Sequence, residues 1–156
     1  MGRAKLPSMS NTHEIRPGQS IELLKALHIL TRDGKLNQDS RRKLKQVYHL
    51  FQFIEPLLQD VQNERGSVTL VDHGAGKSYL GFILYDLFFK PLAEAGQGGS
   101  SHIYGIETRE ELVRHSRELA ERLGFTRGMS FLNLSVADSI ASRELPDTVD
   151  VVTALH

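Results

Sequence analysis

Ten residues in the middle of the chain, Val71-Asp72-His73-Gly74-Ala75-Gly76-Lys77-Ser78-Tyr79-Leu80, decide the fold. They join two apolar runs: Val68 to Val71 is typical of a buried strand, and Tyr79 to Phe89 predicts a buried helix. A glycine-rich turn therefore connects a strand to a helix N-terminus. Gly74 and Gly76 lack a Cβ, so a ligand can lie close to the backbone. Because free N–H groups at a helix start favour a carboxylate or a phosphate, the segment predicts a nucleotide- or cofactor-binding turn.

The spacing of the glycines distinguishes three kinds of turn. A phosphate-binding P-loop, G-x-x-x-x-G-K-[ST], is met by Gly76-Lys77-Ser78, but its first glycine falls on Val71. A dinucleotide fingerprint, G-x-G-x-x-G, fails at its third glycine, which falls on Tyr79. The segment Asp72-His73-Gly74-Ala75-Gly76 matches the pattern acidic-x-Gly-x-Gly completely. A purely structural strand–helix turn is a further interpretation of the same residues.

A second acidic residue ends the next predicted strand. His102 to Ile106 reads as a strand, and Glu107 follows it. A carboxylate at such a strand tip can accept two hydrogen bonds from ribose hydroxyls. Glu107 lies 35 residues after Asp72, and the loop Glu94 to Ser101, rich in glycine and serine, accounts for a spacing above the usual ~20. The alternative is an exposed residue at a strand end, with Thr108 as N-cap of the next helix.

These motifs resemble class I S-adenosylmethionine (SAM) dependent methyltransferases, in a domain family where a D-x-G-x-G-K-x-Y-L turn and a fourth strand like D-V-V-x-A-L-H are typical. The resemblance covers roughly residues 41–156 and is carried in order by Asp72 to Leu80, Ile103 to Glu107, Glu111 to Val113, Ala120 to Phe125 and Asp150 to His156. It implies SAM as cofactor. It leaves the methyl acceptor open, with RNA favoured because a eukaryotic tRNA-modifying enzyme shares this domain type.

The resemblance also implies a role for each part of the site. Backbone N–H groups from Gly74 to Lys77 suit the SAM carboxylate, Asp72 the ammonium group through water, and Glu107 the ribose diol. The loop after the third strand would hold the adenine, although Ser135 stands where many relatives carry an acidic residue. The predicted cofactor-binding residues are Asp72, His73, Gly74, Ala75, Gly76, Lys77, Glu107, Thr108, Ser135, Val136 and Ala137.

Several other residues have weaker assignments. No catalytic base is identified; His156, at the tip of the fourth strand, is either an acceptor-side group or simply the last residue. His73 either lines the cofactor pocket or fills the turn. Lys77 would bind phosphate only in an NTPase. Tyr79 and Tyr85 are predicted to pack on the helix rather than to stack on a cofactor.

Composition bounds the class of protein. The chain has 156 residues, 40% hydrophobic and 24% charged, which is typical of one globular domain. Its net charge of +0 gives no global indication of a nucleic-acid or membrane partner. The absence of cysteine excludes disulfides and thiolate metal sites, and the seven scattered histidines predict no metal. No apolar run reaches the ~18 residues of a membrane span, and the polar segment Met1 to Pro17 is not a secretory signal, so we expect a cytoplasmic protein.

The order of elements predicts an α/β fold: a Rossmann-like open, mostly parallel sheet with helices on both faces and an N-terminal helical extension. The predicted divisions are a flexible arm (1–19), a helical segment (20–62) and the N-terminal half of a SAM-binding domain (63–156). Predicted helices are Ser20–Leu30, Gln38–Leu58, with Pro56 as a kink or end, and Arg109–Leu123. Predicted strands are Ser67–Val71, His102–Ile106, Met129–Leu134 and Val149–Ala154.

Two features widen the functional alternatives. The resemblance implies seven strands, whereas only four are placed, so we expect a truncated domain whose uncovered edge favours self-association. A non-catalytic SAM-binding module is therefore the alternative to an active methyltransferase, followed by a P-loop-like NTPase. Four cations, Arg41, Arg42, Lys43 and Lys45, either contact RNA phosphates or form a solvated helix face.

Overall fold

The computed structural model describes residues 14–154. The helices are α1 (Ile21–Ala26), α2 (Gln38–Arg65), α3 (Tyr79–Leu84), α4 (Lys90–Glu94), α5 (Glu110–Leu123) and α6 (Val136–Ile140), with a π-helical turn at Tyr85–Phe89 between α3 and α4. The strands are β1 (Thr69–His73), β2 (His102–Glu107), β3 (Met129–Asn133) and β4 (Val151–Thr153). Within the described part of the chain, no helix is both long and apolar enough to cross a bilayer.

The four strands form one parallel sheet in the order β3-β2-β1-β4. Parallel neighbours need crossover connections, which the helices after β1 and β2 supply. This arrangement confirms the predicted Rossmann-like α/β fold. In such a sheet the carboxyl ends of the strands meet at one edge, where ligands bind.

The described residues form two compact units, one ending at Phe53 and the other starting at Ile54. In the first unit, Ser20 caps α1, since its Oγ accepts a hydrogen bond from Leu23 N at 3.1 Å. Helix α1 ends at Ala26 rather than at Leu30, because His28 adopts a left-handed conformation with φ of 59°. The apolar residues buried in this unit are Leu23, Leu24, Leu27, Ile29, Leu30, Leu44, Val47 and Phe51.

Part of the predicted flexible arm (1–19) has a defined structure. Residues 1–13 lie outside the described residues. In residues 14–19, Arg16 places its guanidinium 4.7 Å from the centre of the Tyr48 ring, and Glu14 accepts a hydrogen bond from Arg41 at 3.0 Å. The Tyr48 hydroxyl donates to Gln19 at 2.7 Å. Residues 14–19 of the predicted arm are therefore tied to α2.

Helix α2 is longer than predicted. It continues through Pro56 to Arg65, seven residues beyond the predicted end at Leu58. Pro56 lacks an N–H, which removes one rung of the hydrogen-bond ladder. Leu58 is fully buried two residues later, and its burial favours continued helix over an exposed end.

The bounds of β1 differ from the prediction of Ser67–Val71 in a way that matters for function. The strand runs from Thr69 to His73, because Asp72 pairs with Gly105 of β2 and His73 with Ile106. Asp72 and His73 therefore belong to the strand and not to the turn. The alternation of a strand sends the two side chains to opposite faces of the sheet.

The fourth strand is shorter than predicted, Val151–Thr153 instead of Val149–Ala154. Asp150 precedes it and uses its side chain for pairing, since its Oδ2 accepts a hydrogen bond from Thr69 N at 2.9 Å. The Asp150 backbone N–H also donates to Thr69 O at 2.9 Å. These bonds fix β4 beside β1, so that Thr153 lies opposite Asp72.

An aromatic cluster fills the space under α3. Phe82 is fully buried, and its ring centre lies 5.6 Å from that of Phe131 on β3 and 6.4 Å from that of Phe125. Tyr85 is buried, with its ring 4.6 Å from Phe125, which is the packing role predicted for it. The helix predicted over Tyr79–Phe89 continues through the π-helical turn into α4 and anchors the turn that precedes it.

Candidate functional site

Asp72 is a buried carboxylate at the end of β1, with only 4% of its surface exposed. Its Oδ1 accepts a hydrogen bond from Thr153 Oγ1 at 2.8 Å. Burial raises the pKa of Asp72, while the Thr153 hydroxyl and the neighbouring His73 act in the opposite direction. Oδ2 has no hydrogen-bond partner among the described residues, and Asp72 lines a cavity. One acceptor atom of this carboxylate therefore remains available to a ligand.

The turn after β1 has three left-handed residues in five positions: Gly74 (φ 65°), Gly76 (φ 60°) and Ser78 (φ 64°). Such φ values favour glycine, which explains the two glycines of the motif. Ser78 is the non-glycine exception. It is buried, and its Oγ accepts a hydrogen bond from Ser116 Oγ at 3.0 Å. The turn is anchored to the sheet because Ala75 N donates to Ile106 O at 2.9 Å.

Glu107 lies at the end of β2 with 5% of its surface exposed. Its Oε1 accepts a hydrogen bond from Gly76 N at 2.8 Å, and its Oε2 accepts from Arg109 N at 3.0 Å and from Arg109 Nε at 2.8 Å. These bonds favour the charged form. The Arg109 side chain is the main cause that lowers the pKa of Glu107 to about 2; burial opposes the shift. The carboxylate thus joins the glycine turn to the start of α5.

The residues after Glu107 differ from the prediction that Thr108 caps the following helix. Arg109 is the N-cap, and α5 begins at Glu110. Because the Arg109 N–H donates to the Glu107 carboxylate, the helix begins one residue later than expected. Thr108 is exposed, and its carbonyl accepts a hydrogen bond from Asn133 Nδ2 at 2.8 Å. Asn133 also donates to Glu107 O at 3.1 Å and holds the ends of β2 and β3 together.

The segment Ser135–Ala137 lies after β3. The Ser135 Oγ accepts a hydrogen bond from Asp138 N at 3.0 Å and caps the short helix α6. Val136 exposes 52% of its surface, an unusual fraction for a large apolar residue. Among the described residues, no hydrogen bond joins Ser135, Val136 or Ala137 to the glycine turn. The structure therefore brings the turn and Glu107 together but leaves this segment apart from them.

A cavity of about 310 Å³ lies against the turn. Its lining consists of Asp72, Gly74, Ala75, Lys77, Tyr79 and Leu80. Tyr79 lines this cavity and is 42% exposed, so the packing predicted for it is partial. Tyr79 is the first residue of α3, and no other element covers it completely at this end of the helix.

His73 has one orphaned polar atom. Its Nδ1 is buried and has no hydrogen-bond partner among the described residues. A buried polar group without a partner is costly. The last residue of β1 therefore holds a donor or acceptor that a ligand or a water molecule could satisfy.

Three residues of this region were not predicted from the sequence: Thr153, Arg109 and Asn133. Each is a polar residue at or just beyond a strand end, which is the signal that could have identified it. The position of His156, for which two interpretations were open, lies outside the described residues.

Comparison with known proteins gives the family. A family model described as a methyltransferase domain matches residues 42–156. No curated protein matches the chain. Among solved structures, the N-terminal domain of human METTL16 in complex with SAH is similar in fold, with a TM-score of 0.51 at 10% identity over 69% of this chain and 39% of that chain.

A second solved structure is described as a putative class I S-adenosylmethionine-dependent methyltransferase from Listeria monocytogenes. It is 22% identical, with a TM-score of 0.47, over 67% of this chain and 29% of that chain. The chain thus spans well under half the length of both solved proteins.

Proposed function

Because the chain belongs to a family of methyltransferase domains, we propose that it binds SAM through Asp72, the glycine turn and Glu107 and transfers the methyl group to an acceptor. Family membership supports the predicted enzyme class and, with it, SAM as the methyl donor. When bound, SAM supplies a methyl group that is already activated on a sulfonium centre. The protein then has to hold the donor, orient the acceptor and exclude water.

The free oxygen of Asp72 carries this proposal. Asp72 lines a cavity of about 310 Å³. Its Oδ1 accepts the Thr153 hydroxyl, and its Oδ2 has no hydrogen-bond partner among the described residues. A carboxylate with one fixed and one free oxygen fits an ammonium group, directly or through water. A cation there would also favour the charged form of Asp72 against the effect of burial.

The turn and Glu107 supply the other contacts. We assign the SAM carboxylate to the backbone N–H groups of Gly74 and Lys77, because those of Ala75 and Gly76 already donate to Ile106 O and to Glu107 Oε1. A turn that mixes left-handed and right-handed conformations directs such amides into an anion-binding concavity. Glu107 is ionised and suits the ribose diol. Its oxygens already accept bonds from Gly76 and Arg109. The Arg109 side chain is 62% exposed, so a ligand hydroxyl can replace its hydrogen bond to Glu107 at low cost.

The remaining cofactor-binding residues are assigned on weaker grounds of the same kind. The orphaned His73 Nδ1 suits a polar atom of the donor or a bridging water. Val136, with its exposed apolar surface, suits the adenine face, together with Ser135 and Ala137. Thr108 is exposed beside Glu107 and suits the ribose edge. We propose RNA as the acceptor and the cytoplasm as the location, both of which rest on the sequence and its resemblance.

Calorimetric titration tests the proposal. We expect SAM and S-adenosylhomocysteine to bind the full chain with micromolar affinity. Asp72→Asn should weaken both at least tenfold, while Asp147→Asn, an exposed aspartate of the same domain, leaves them unchanged. Circular dichroism establishes that both variants are folded. Binding of Mg-ATP but not of SAM would overturn the proposal in favour of an NTPase; binding of SAM without methyl transfer to any RNA would favour a non-catalytic module.

A further inference from the structure

The neutral chain has a basic N-terminal part and an acidic C-terminal part. Residues 1–53 contain ten Lys and Arg but only four Asp and Glu, whereas residues 54–156 contain nine Lys and Arg and fifteen Asp and Glu. The net charge of +0 therefore arises because the basic and the acidic part cancel. The total charge conceals this asymmetry, which indicates a polyanionic partner for the basic part.

The basic residues are concentrated on one face of α2. With 100° between successive helical residues, Arg41, Arg42, Lys45, His49 and Phe53 fall within a third of the circumference. All five are exposed, and Phe53 exposes 84% of its surface. At a rise of ~1.5 Å per residue this face is roughly 18 Å long. It combines cations with a bare aromatic ring.

Acidic neighbours of this face do not neutralise it. Arg42 pairs with Asp39, and Arg41 pairs with Glu14 at 3.0 Å. Both pairs are substantially exposed, and exposed pairs contribute little, so each arginine can exchange its carboxylate for a phosphate. Lys45 has no ion-pair partner among the described residues. The face thus retains cations that a polyanion can use.

A groove beside the cations has the right character for a nucleobase. It has a volume of about 440 Å³ and is lined by Glu14, Arg41, Arg42, Leu44, Lys45 and Tyr48. Its surface is mostly apolar, and Leu44, Tyr48 and the aliphatic stems of the cations can supply that surface. A mostly apolar groove beside cations fits a base attached to a phosphate.

We propose that this face of α2 docks a single-stranded nucleic acid. Arg42 and Lys45 contact phosphates, and Phe53 stacks on an unpaired base, which duplexes do not offer. Anionic membranes would also use the cations, but stable insertion takes a broad apolar face, and Phe53 is the one large apolar side chain among the five residues of this face. The inference deepens the proposed function, since it identifies how an RNA acceptor would be held, but the binding itself does not require SAM.

Fluorescence anisotropy of the full chain with a labelled single strand of about 15 nucleotides, within the range of such sites, tests the inference. Phe53→Ala should weaken binding roughly fivefold or more. Lys45→Ala should weaken it and make the plot of log affinity against log salt less steep by about 0.7, the change for one phosphate contact. Matched controls are Ile140→Ala, which removes an equally exposed side chain, and Arg114→Ala on α5; neither should change the affinity.

The outcomes separate this inference from the proposed cofactor site. Tighter binding of RNA than of DNA of the same sequence supports docking of an RNA acceptor; equal binding of the two supports the docking of single strands alone. Equal binding of a duplex, or binding of phosphatidylserine vesicles but no oligonucleotide, overturns the inference. In Phe53→Ala and Lys45→Ala, calorimetry should show unchanged SAM affinity, so that loss of RNA binding leaves the cofactor site intact and loss of SAM binding alone leaves the docking face intact.

Discussion

Asp72 and Glu107 are both buried carboxylates at the ends of adjacent parallel strands, yet they have opposite electrostatic environments. Asp72 receives one hydroxyl hydrogen bond, and burial raises its pKa. Glu107 receives two backbone N–H bonds and a guanidinium, and its pKa falls to about 2. The fold places both carboxylates at strand ends, but the hydrogen-bond donors around each one determine which form is favoured and what it can bind.

The two carboxylates are suited to different partners. A carboxylate that is short of donors gains most from a cation, and Asp72 is of this kind. Glu107 is already stabilised as an anion and acts as a fixed acceptor for neutral hydroxyls. Substitutions can change either the packing near the two carboxylates or the hydrogen-bond donors that make them different.

The largest loss of stability is expected from Gly105→Ala, which places a methyl group between the two sites. Its Cβ would lie 2.9 Å from Phe131 Cδ1 and 3.4 Å from Ala75 Cβ. Because the Phe131 ring is buried and cannot move aside, we expect a loss of about 3 kcal/mol, the upper part of the range for overpacking. Urea unfolding measures the loss. Gly124→Ala, at a glycine with open space around its Cβ but a positive φ, separates the clash from backbone strain.

Thr153→Val removes the single donor of Asp72 and keeps the shape of the side chain. We expect a loss of about 2 kcal/mol, because a hydrogen bond to a charged acceptor is lost in a buried site. Thr153→Ser retains the hydroxyl and should keep most of the stability. A loss in Thr153→Ser without a loss in Thr153→Val would show that the methyl group, not the hydrogen bond, is what matters at this position.

The stability of the chain should depend on pH through Glu107. A group whose pKa is lowered on folding stabilises the protein above its unfolded pKa, and the contribution is lost as the pH falls through the folded pKa. For Glu107 the window runs from about 4.5 down to about 2. Glu107→Gln should flatten the pH dependence of urea unfolding in this window. An unchanged pH profile would contradict the arrangement around Glu107.

The contribution of Asp72 to stability should change with pH in the opposite direction. Its pKa is raised on folding, so its contribution is present below the unfolded pKa and decreases as the pH rises through the folded value. Asp72→Asn should therefore gain stability relative to the unaltered chain as the pH rises from acid toward neutral. A gain at low pH instead would show that the buried carboxylate is stabilised as an anion.

Arg109→Ala is expected to have the smallest effect on folding. The side chain is 62% exposed, so solvent screens its pair with Glu107 and little stability should be lost. Its effect on Glu107 should be seen in the pKa of that carboxyl, which rises without the guanidinium. Arg109→Lys keeps a cation near Glu107 but loses the fork of donors. NMR titration of Glu107 in the two variants distinguishes charge from hydrogen bonding.

The sequence was sufficient to predict features that depend on local pattern. The strand–turn–helix around Gly74 and Gly76 follows from apolar runs and glycine spacing, and the position of Glu107 follows from the end of an apolar strand. The contact between Gly76 and Glu107, 31 residues apart, also follows once β1 and β2 are neighbours in a parallel sheet.

Other features depend on pairings that the sequence does not contain. Thr153 reaches Asp72 across 81 residues only because β4 lies beside β1. Arg109 folds back on Glu107 because the helix begins one residue later than its cap signal suggests. Tyr79 is exposed because the first turn of α3 borders the cavity, which an apolar run cannot reveal.

The separate roles of the two carboxylates can be tested by a calorimetric comparison of Asp72→Asn and Glu107→Gln with two ligands, S-adenosylhomocysteine and 5′-methylthioadenosine. The second ligand keeps the ribose and adenine but lacks the amino-acid group. We expect Asp72→Asn to lose affinity for S-adenosylhomocysteine at least tenfold and to bind methylthioadenosine unchanged, whereas Glu107→Gln should lose affinity for both. Equal losses for both ligands in Asp72→Asn, or no loss in Glu107→Gln, would contradict the separate roles of the two carboxylates.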